Sequence, residues 1–200
     1  METWHSRIEP VLNAALRQRD NYTADHCERV ALLALLLAMA QALQLTQRDK
    51  AALGIAARFH DLGKIGLPDT VLLKVGPLDA DEWTLMKTHS ARGAEIVRAD
   101  GHLAHRNDVA LAIRHHHEHY DGKGYPDGLR GKDIPLLSRV ISVVDSYDAM
   151  TTRRPYQASR SHHETMLVLT GERGTKHDPE ILDVFLSLDE GSFEPHSDSR

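Results

Sequence analysis

HDLGKIGLPD, residues 60–69, follows a predicted helix into a turn, and its first two residues govern the reading of the whole chain. Thr46 with Asp49 resembles a capping box, so a helix is expected to open there, run to about Leu62 and stop at Gly63. Neighbours on a helix point about 100° apart, so His60 and Asp61 would not grip one ion side by side. A carboxylate has two oxygens, however, and Asp61 could give one to each of two ions while His60 binds one of them. Two-metal sites of this kind hold a shared water or hydroxide, a nucleophile at neutral pH. Taken alone, the dipeptide reads more simply as a hydrogen-bonding pair at a helix end.

The composition favours the metal reading. The chain has 14 His among 200 residues, and imidazole is both a common metal ligand and the usual neutral-pH proton carrier. Apolar residues at 41% and charged residues at 26% describe a globular chain long enough for one domain with a real core. Abundant Ala and Leu, with few runs of Val, Ile and Thr, tilt the fold class to all-α. A net charge of -5 argues against a nucleic acid polymer as partner, because the global field repels a polyanion unless cations or metals cluster locally. The single Cys27 cannot form an internal disulfide and reads as a small buried residue, which fits a reducing compartment, the cytoplasm. The opening METWHSRIEP has no basic region followed by an apolar stretch, so no signal peptide is expected. The uncharged run between Arg29 and Arg48 is too short and too polar at Gln41, Gln44, Thr46 and Gln47 to span a bilayer.

Helical spacing recurs along the chain. Trp4, Ile8, Val11, Leu12 and Ala15 predict an N-terminal amphipathic helix, either core or a dimer contact. Thr23 is the expected N-cap of a long helix through about Leu43. Asp79 and Glu82 open a helix that should carry Trp83, Met86, His89 and Ile96. Another is expected after Asn107, ending in HHHEHY. DGKGYPDGLRGKDIP, with four glycines and two prolines, cannot be helix interior and reads as a long functional loop. Helices are expected over LLSRVISVVDSYDAMTT, near Ser161–Leu169 and near Pro179–Leu188. The N-terminal helix is expected within 1–18 and a tail over 189–200, and the one domain between them, 19–188, is the stretch covered by the family resemblance of its ordered motifs.

The order of the motifs is more specific than any one of them. HDLGKIGLPD, the isolated His89, HHEHYDGKGYPDG (116–128), VVDSYDAMTTRRPYQ (143–157) and GTKHDPEILDVF (174–185) resemble the HD-GYP family of the HD phosphohydrolases. The GYP here is Gly124-Tyr125-Pro126. The resemblance implies a single-domain helical bundle of the HD type with a long GYP loop, iron or manganese as cofactor, and cyclic di-GMP as substrate. It carries over His26, His60, Asp61 and Asp145 as ligands of one ion and Asp61, His89, His116 and His117 as ligands of the other, each on one of five helices. Cys27 stands where the family usually has Ser, and Tyr22 stands where members with a third metal have Glu, so two metals are expected. The i,i+4 pair His115 and His119 is a competing chelate by spacing, but neither matches a family ligand. His102, His105, His162, His163 and His177 read as surface or capping residues.

The resemblance implies that Lys64 and Arg154 contact substrate phosphate and that Tyr125 shapes the substrate side of the pocket. Asp61 and Lys64 would be catalytic, Lys64 by stabilising the departing 3′ oxygen. Gln157 departs from a basic residue common after RPY. The expected reaction is hydrolysis of cyclic di-GMP to pGpG, with further cleavage to GMP an open extension. Rival readings are a phosphodiesterase for another cyclic dinucleotide such as cyclic GMP-AMP, a di-iron oxygen or redox sensor, and a module that recruits signalling proteins through the GYP surface.

Overall fold

A computed structural model describes residues 5–152, 159–189 and 191, with side chains described from residue 9 onward. The architecture is all-α, with no strand ladder among the described residues. Ten helices follow in order among them: α1 (His5–Arg19), α2 (Asn21–Ala38), α3 (Gln47–Phe59), α4 (Asp69–Leu72), α5 (Ala80–Met86), α6 (His89–Ala99), α7 (Arg106–Arg114), α8 (Leu136–Thr151), α9 (His162–Gly171) and α10 (Pro179–Leu186). No helix among the described residues is long and apolar enough to cross a membrane.

One apolar core unites the bundle. Val30, Ala34 and Leu37 of α2, Leu53, Ala56 and Phe59 of α3, Ile113 of α7, and Ile141 and Val144 of α8 belong to it, with Leu182 and Phe185 of α10. Alanines at these contacts let helix backbones approach closely, which suits a site built from several helix ends. A smaller cluster of Leu16, Ala24 and Cys27, with Ile65 against it, seats α1 on α2 and on the turn after the His-Asp pair.

Capping explains several boundaries. The expected boxes at Thr46/Asp49 and Asp79/Glu82 both form. The start of α2 differs from expectation. Its N-cap is Asp20, which accepts from the backbone N–H of Tyr22 and Thr23, while Thr23 is buried with its hydroxyl donating to Asp20. The carboxylate satisfies two orphan N–H groups three residues earlier than a threonine would. This helix also stops at Ala38 rather than near Leu43, where Gln41–Leu43 form a separate 3-10 turn ending at a left-handed Gln44.

Three further departures shape the site. The helix of the His-Asp pair ends at Phe59, and Leu62–Gly66 tighten into a 3-10 turn. The helix expected across Trp83 to Ile96 is divided into α5 and α6, because Thr88 Oγ1 and His89 Nδ1 turn back onto the carbonyls of Leu85 and Met86. The helix expected to include HHHEHY ends at Arg114, leaving the three histidines in the turn that follows.

The GYP loop is ordered by Glu118, whose buried carboxylate accepts the backbone N–H groups of Asp127, Gly128 and Leu129 at 2.7, 3.0 and 3.1 Å. Its near end is tied to the segment before α10 by Tyr120 N–H to Lys176 O and Asp121 N–H to Thr175 O. Gly124 must be glycine there, since a Cβ would lie 2.2 Å from the His119 nitrogen and 2.5 Å from the His117 carbonyl oxygen.

Candidate metal centre

Three histidines sit at helix ends and fold back onto the preceding turn. Nδ1 of His60, His89 and His116 lies 2.7, 2.8 and 2.6 Å from the carbonyl oxygen of Ala57, Met86 and Ile113, in each case three residues upstream. A carbonyl can only accept, so each Nδ1 donates and each Nε2 is turned toward the interior with its lone pair. His60 Nε2 is buried with no hydrogen-bond partner. His89 Nε2 and His116 Nε2 lie 3.5 Å apart. Burial in the protein interior pushes the pKa of His89 down to about 4 and that of His116 to about 3, and lowers that of His117 strongly. Neutral rings whose lone pairs face each other repel unless a cation lies between them.

Asp61 stands at the centre of this group. Its Oδ1 is 3.2 Å from His89 Nε2, while its Oδ2 is 3.6 Å from His60 Nε2, 3.9 Å from His26 Nε2 and 2.6 Å from Lys64 Nζ. The two oxygens therefore face different groups of histidines. Burial opposes its charge, but Lys64 and the surrounding histidines outweigh burial and hold the carboxyl well below the usual range. Asp145, from the middle of α8, places Oδ1 3.0 Å from His26 Nε2 and 3.9 Å from His60 Nε2.

His26 is oriented differently from the other three, by a carboxylate. Its Nδ1 is 2.7 Å from Asp148 Oδ2, and Asp148 is gripped by the fork of Arg29 at 2.7 and 3.0 Å. Burial works against a charge on His26, but hydrogen bonds to Asp145 and Asp148 outweigh it and raise its pKa to about 9. Orientation of a ligating histidine by a carboxylate behind it is a recurrent device of metal sites. Asp148 and Arg29 went unread in the sequence, although Asp148 lies three residues after Asp145 on α8 and Arg29 three after His26 on α2, spacings that share a helix face.

The residues fit metal ions. Asp61, His89, His116 and His117 offer ligand atoms within 4.8 Å of one another, and so do His26, His60 and Asp145. Mixed imidazole and carboxylate donors suit first-row transition metals better than magnesium or calcium, which prefer all-oxygen shells. Cys27 also lies near His60 and Asp61, but burial pushes its thiol well up, so it is a poor ligand.

The seven residues read as ligands thus come together, though not all from helices. Only His26 and Asp145 lie within helices and His89 opens one, whereas His60, Asp61, His116 and His117 lie just beyond helix ends. A helix end frees adjacent residues from the helical angle between neighbours, which lets pairs such as His60-Asp61 and His116-His117 face one centre. His115 and His119 form no chelate, since His115 is 2.8 Å from Asp127 Oδ2 and 3.0 Å from the Leu111 carbonyl. His177, read from the sequence as a surface or capping residue, is not exposed. It is buried, bonded to Glu172 at 3.1 Å and Ser142 at 3.3 Å. Lys64 and Tyr125 line the cavity above the centre, a space of about 350 Å³, and Tyr125 lies against the His117 ring at 4.8 Å. Arg154 and Gln157 fall outside the described residues.

Substitution of Asp148 by Asn is expected to weaken metal binding roughly 10- to 100-fold. The amide keeps the volume but loses the charge that His26 and Arg29 share. Competition titration with a chromophoric chelator measures the change, and wild-type affinity in this variant would remove Asp148 from any orienting role.

The scaffold and its interior histidines define a class: helical proteins that gather His and Asp ligands at the ends of packed helices. The chain belongs to the HD domain family, whose model matches residues 8–181, and with its GYP loop it is of the HD-GYP type. It is 38% identical over 175 residues to the cyclic di-GMP phosphodiesterase response regulator RpfG of Xanthomonas campestris, covering 88% of this chain and 46% of that one. It is 35% identical over 184 residues to 3′3′-cGAMP-specific phosphodiesterase 3 of Vibrio cholerae, covering 90% and 39%. The chain spans less than half the length of either relative. Among solved structures, an HDG"Y"P protein from Bdellovibrio bacteriovorus superposes with a TM-score of 0.65 at 25% identity, covering 82% of this chain and 51% of that one.

Proposed function

We propose that this chain is a metal-dependent phosphodiesterase that opens cyclic di-GMP to linear pGpG, with GMP as a further product. The observation that carries the reading is the placement of Asp61, whose two oxygens face two separate groups of histidines while Lys64 stands beside it at 2.6 Å. Two ions are proposed, one held by His26, His60, Asp61 and Asp145, the other by Asp61, His89, His116 and His117. Iron or manganese suits this donor set. When bound, such ions act as Lewis acids toward a phosphoryl group and make water a nucleophile at neutral pH.

The chain's own residues supply the rest. His60, His89 and His116 keep their Nε2 lone pairs aimed inward because each Nδ1 is committed to a backbone carbonyl. Lys64 gives an otherwise acidic protein a positive charge at the mouth of the site, where a substrate phosphate is drawn in and a departing 3′ oxygen is stabilised. Tyr125 closes the cavity over His117, and Arg154 is proposed as the second phosphate contact. The catalytic unit is residues 19–188, and the cytoplasm is the proposed compartment, in keeping with the one buried thiol. Cyclic GMP-AMP remains the second reading, favoured by the similarity to the Vibrio cholerae enzyme.

The test loads the protein with iron or manganese, counts bound metal, and supplies cyclic di-GMP, 3′3′-cGAMP and cyclic di-AMP in parallel. Release of pGpG with about two ions per chain is the expected result. Absence of turnover on all three substrates in fully loaded protein would overturn the reading, and preferential turnover of 3′3′-cGAMP would shift it to the second.

A further inference from the structure

One wall of the cavity above the centre is formed by α5 and the GYP loop rather than by the ligands and Lys64. α5 presents Trp83 and Met86 to it, and Lys87 caps the same helix. Trp83 is 46% exposed, so it is not a core residue. Lys87 Nζ stands 5.9 Å from the Trp83 ring and 5.8 Å from the Tyr125 ring, a cation shared between two aromatic groups. Tyr125 has one face taken by His117, at a ring separation of 4.8 Å and a tilt of 33°. Trp83 is therefore the large aromatic surface that this wall leaves open.

A single exposed aromatic residue usually needs no explanation. Here it shares the cavity of the centre and stands beside a positive charge, on the side where Lys87 also meets Tyr125 and Tyr125 lies against His117. A phosphodiester held at the centre would bring an attached nucleoside within reach of this wall. A planar π face with an adjacent cation is the surface on which nucleobases stack, and such stacking tolerates any base because every base has a π face.

We propose that Trp83, with Lys87 beside it, is the face on which a nucleobase of the substrate stacks, on the Tyr125 side of the centre. This inference rests on the phosphodiesterase reading only for the nature of the phosphate, since stacking requires no hydrolysis. Trp83 is a binding residue in this role, felt in substrate affinity more than in the chemical step.

The test uses the full chain. Its two tryptophans are Trp4 and Trp83, so a Trp4→Phe variant leaves Trp83 as the only indole. Titration of that variant with pGpG is expected to quench its fluorescence to saturation, whereas inorganic phosphate should not. In the otherwise native chain, Trp83→Leu is expected to raise KM for cyclic di-GMP roughly 5- to 100-fold, with a smaller change in kcat. Trp83→Phe should restore most of the loss, because it returns a π face where Leu returns only apolar volume. Absence of quenching by pGpG overturns the proposal, as does an unchanged KM in Trp83→Leu or equal behaviour of the Leu and Phe variants. Saturable quenching without turnover of any cyclic dinucleotide would leave the stacking face standing and remove the hydrolytic reading. Turnover with a KM insensitive to Trp83 would do the reverse.

Discussion

Replacing Asp61 by Ala is expected to lower turnover of the cyclic dinucleotide by roughly 10³-fold or more, with bound metal falling well below that of the native protein. Its two oxygens address both groups of histidines. Oδ1 is 3.2 Å from His89 Nε2, and Oδ2 is 3.6 Å from His60 Nε2 and 3.9 Å from His26 Nε2. Removing the carboxylate also leaves the Lys64 ammonium without the counter-charge it meets at 2.6 Å, and the burial of Asp61 makes that loss large. Asp61→Asn separates the two contributions, since it keeps the volume and one oxygen while losing the charge. Elemental analysis of the purified variants, alongside single-turnover assays, reads both effects. Full activity with normal metal content in Asp61→Ala would end the proposal that this residue joins two ions.

Gly63→Ala is expected to destabilise the fold by about 3 kcal/mol or more, at the upper end of overpacking effects. The glycine lies in the 3-10 turn after Asp61, where a Cβ would sit 1.9 Å from the His89 carbonyl oxygen and 2.6 Å from the Gly93 nitrogen. Neither obstacle is a flexible side chain. The turn and α6 would have to separate, drawing His89 away from Asp61, so metal affinity should fall with stability. For a chain of this size such a loss corresponds to roughly 6–12 °C in Tm. Gly54→Ala is the comparison. Gly54 lies inside α3 and the atoms nearest a Cβ there are Leu35 side-chain carbons, from 3.4 Å, so helix propensity should leave that variant neutral or up to about 1 kcal/mol more stable. A Gly63→Ala protein that melts and binds metal like wild type would mean that the turn and α6 are not held this closely.

Much of the fold was legible because local rules act over a few residues. The boxes at Thr46/Asp49 and Asp79/Glu82 and the apolar periodicity of α8 depend on side chains within one turn of each other, and these formed as read. The errors lie where a tertiary contact outweighs propensity. α3 ends at Phe59 because the following turn packs against the backbone of α6. α5 and α6 part where His89 and Thr88 side chains take the helix's own carbonyls. A sequence states which residues could bond to a carbonyl three positions back, but not which rotamer will do so.

The same division runs through the site. The seven ligand candidates and the cavity residues Lys64 and Tyr125 were named through the resemblance of the ordered motifs to the HD-GYP family, while the all-α class already lay in the composition. The tertiary structure decided which nitrogen of His26, His60, His89 and His116 faces the centre, because that depends on the carbonyl or carboxylate that engages the other nitrogen. It also decided that Asp148 and Arg29 stand behind His26 and that Trp83 opens onto the same cavity as His117. Asp148 lies 122 residues from His26 along the chain. What joins them is the packing of α8 against α2, and a contact across that separation is set by how helix faces fit together, not by any pattern within either segment.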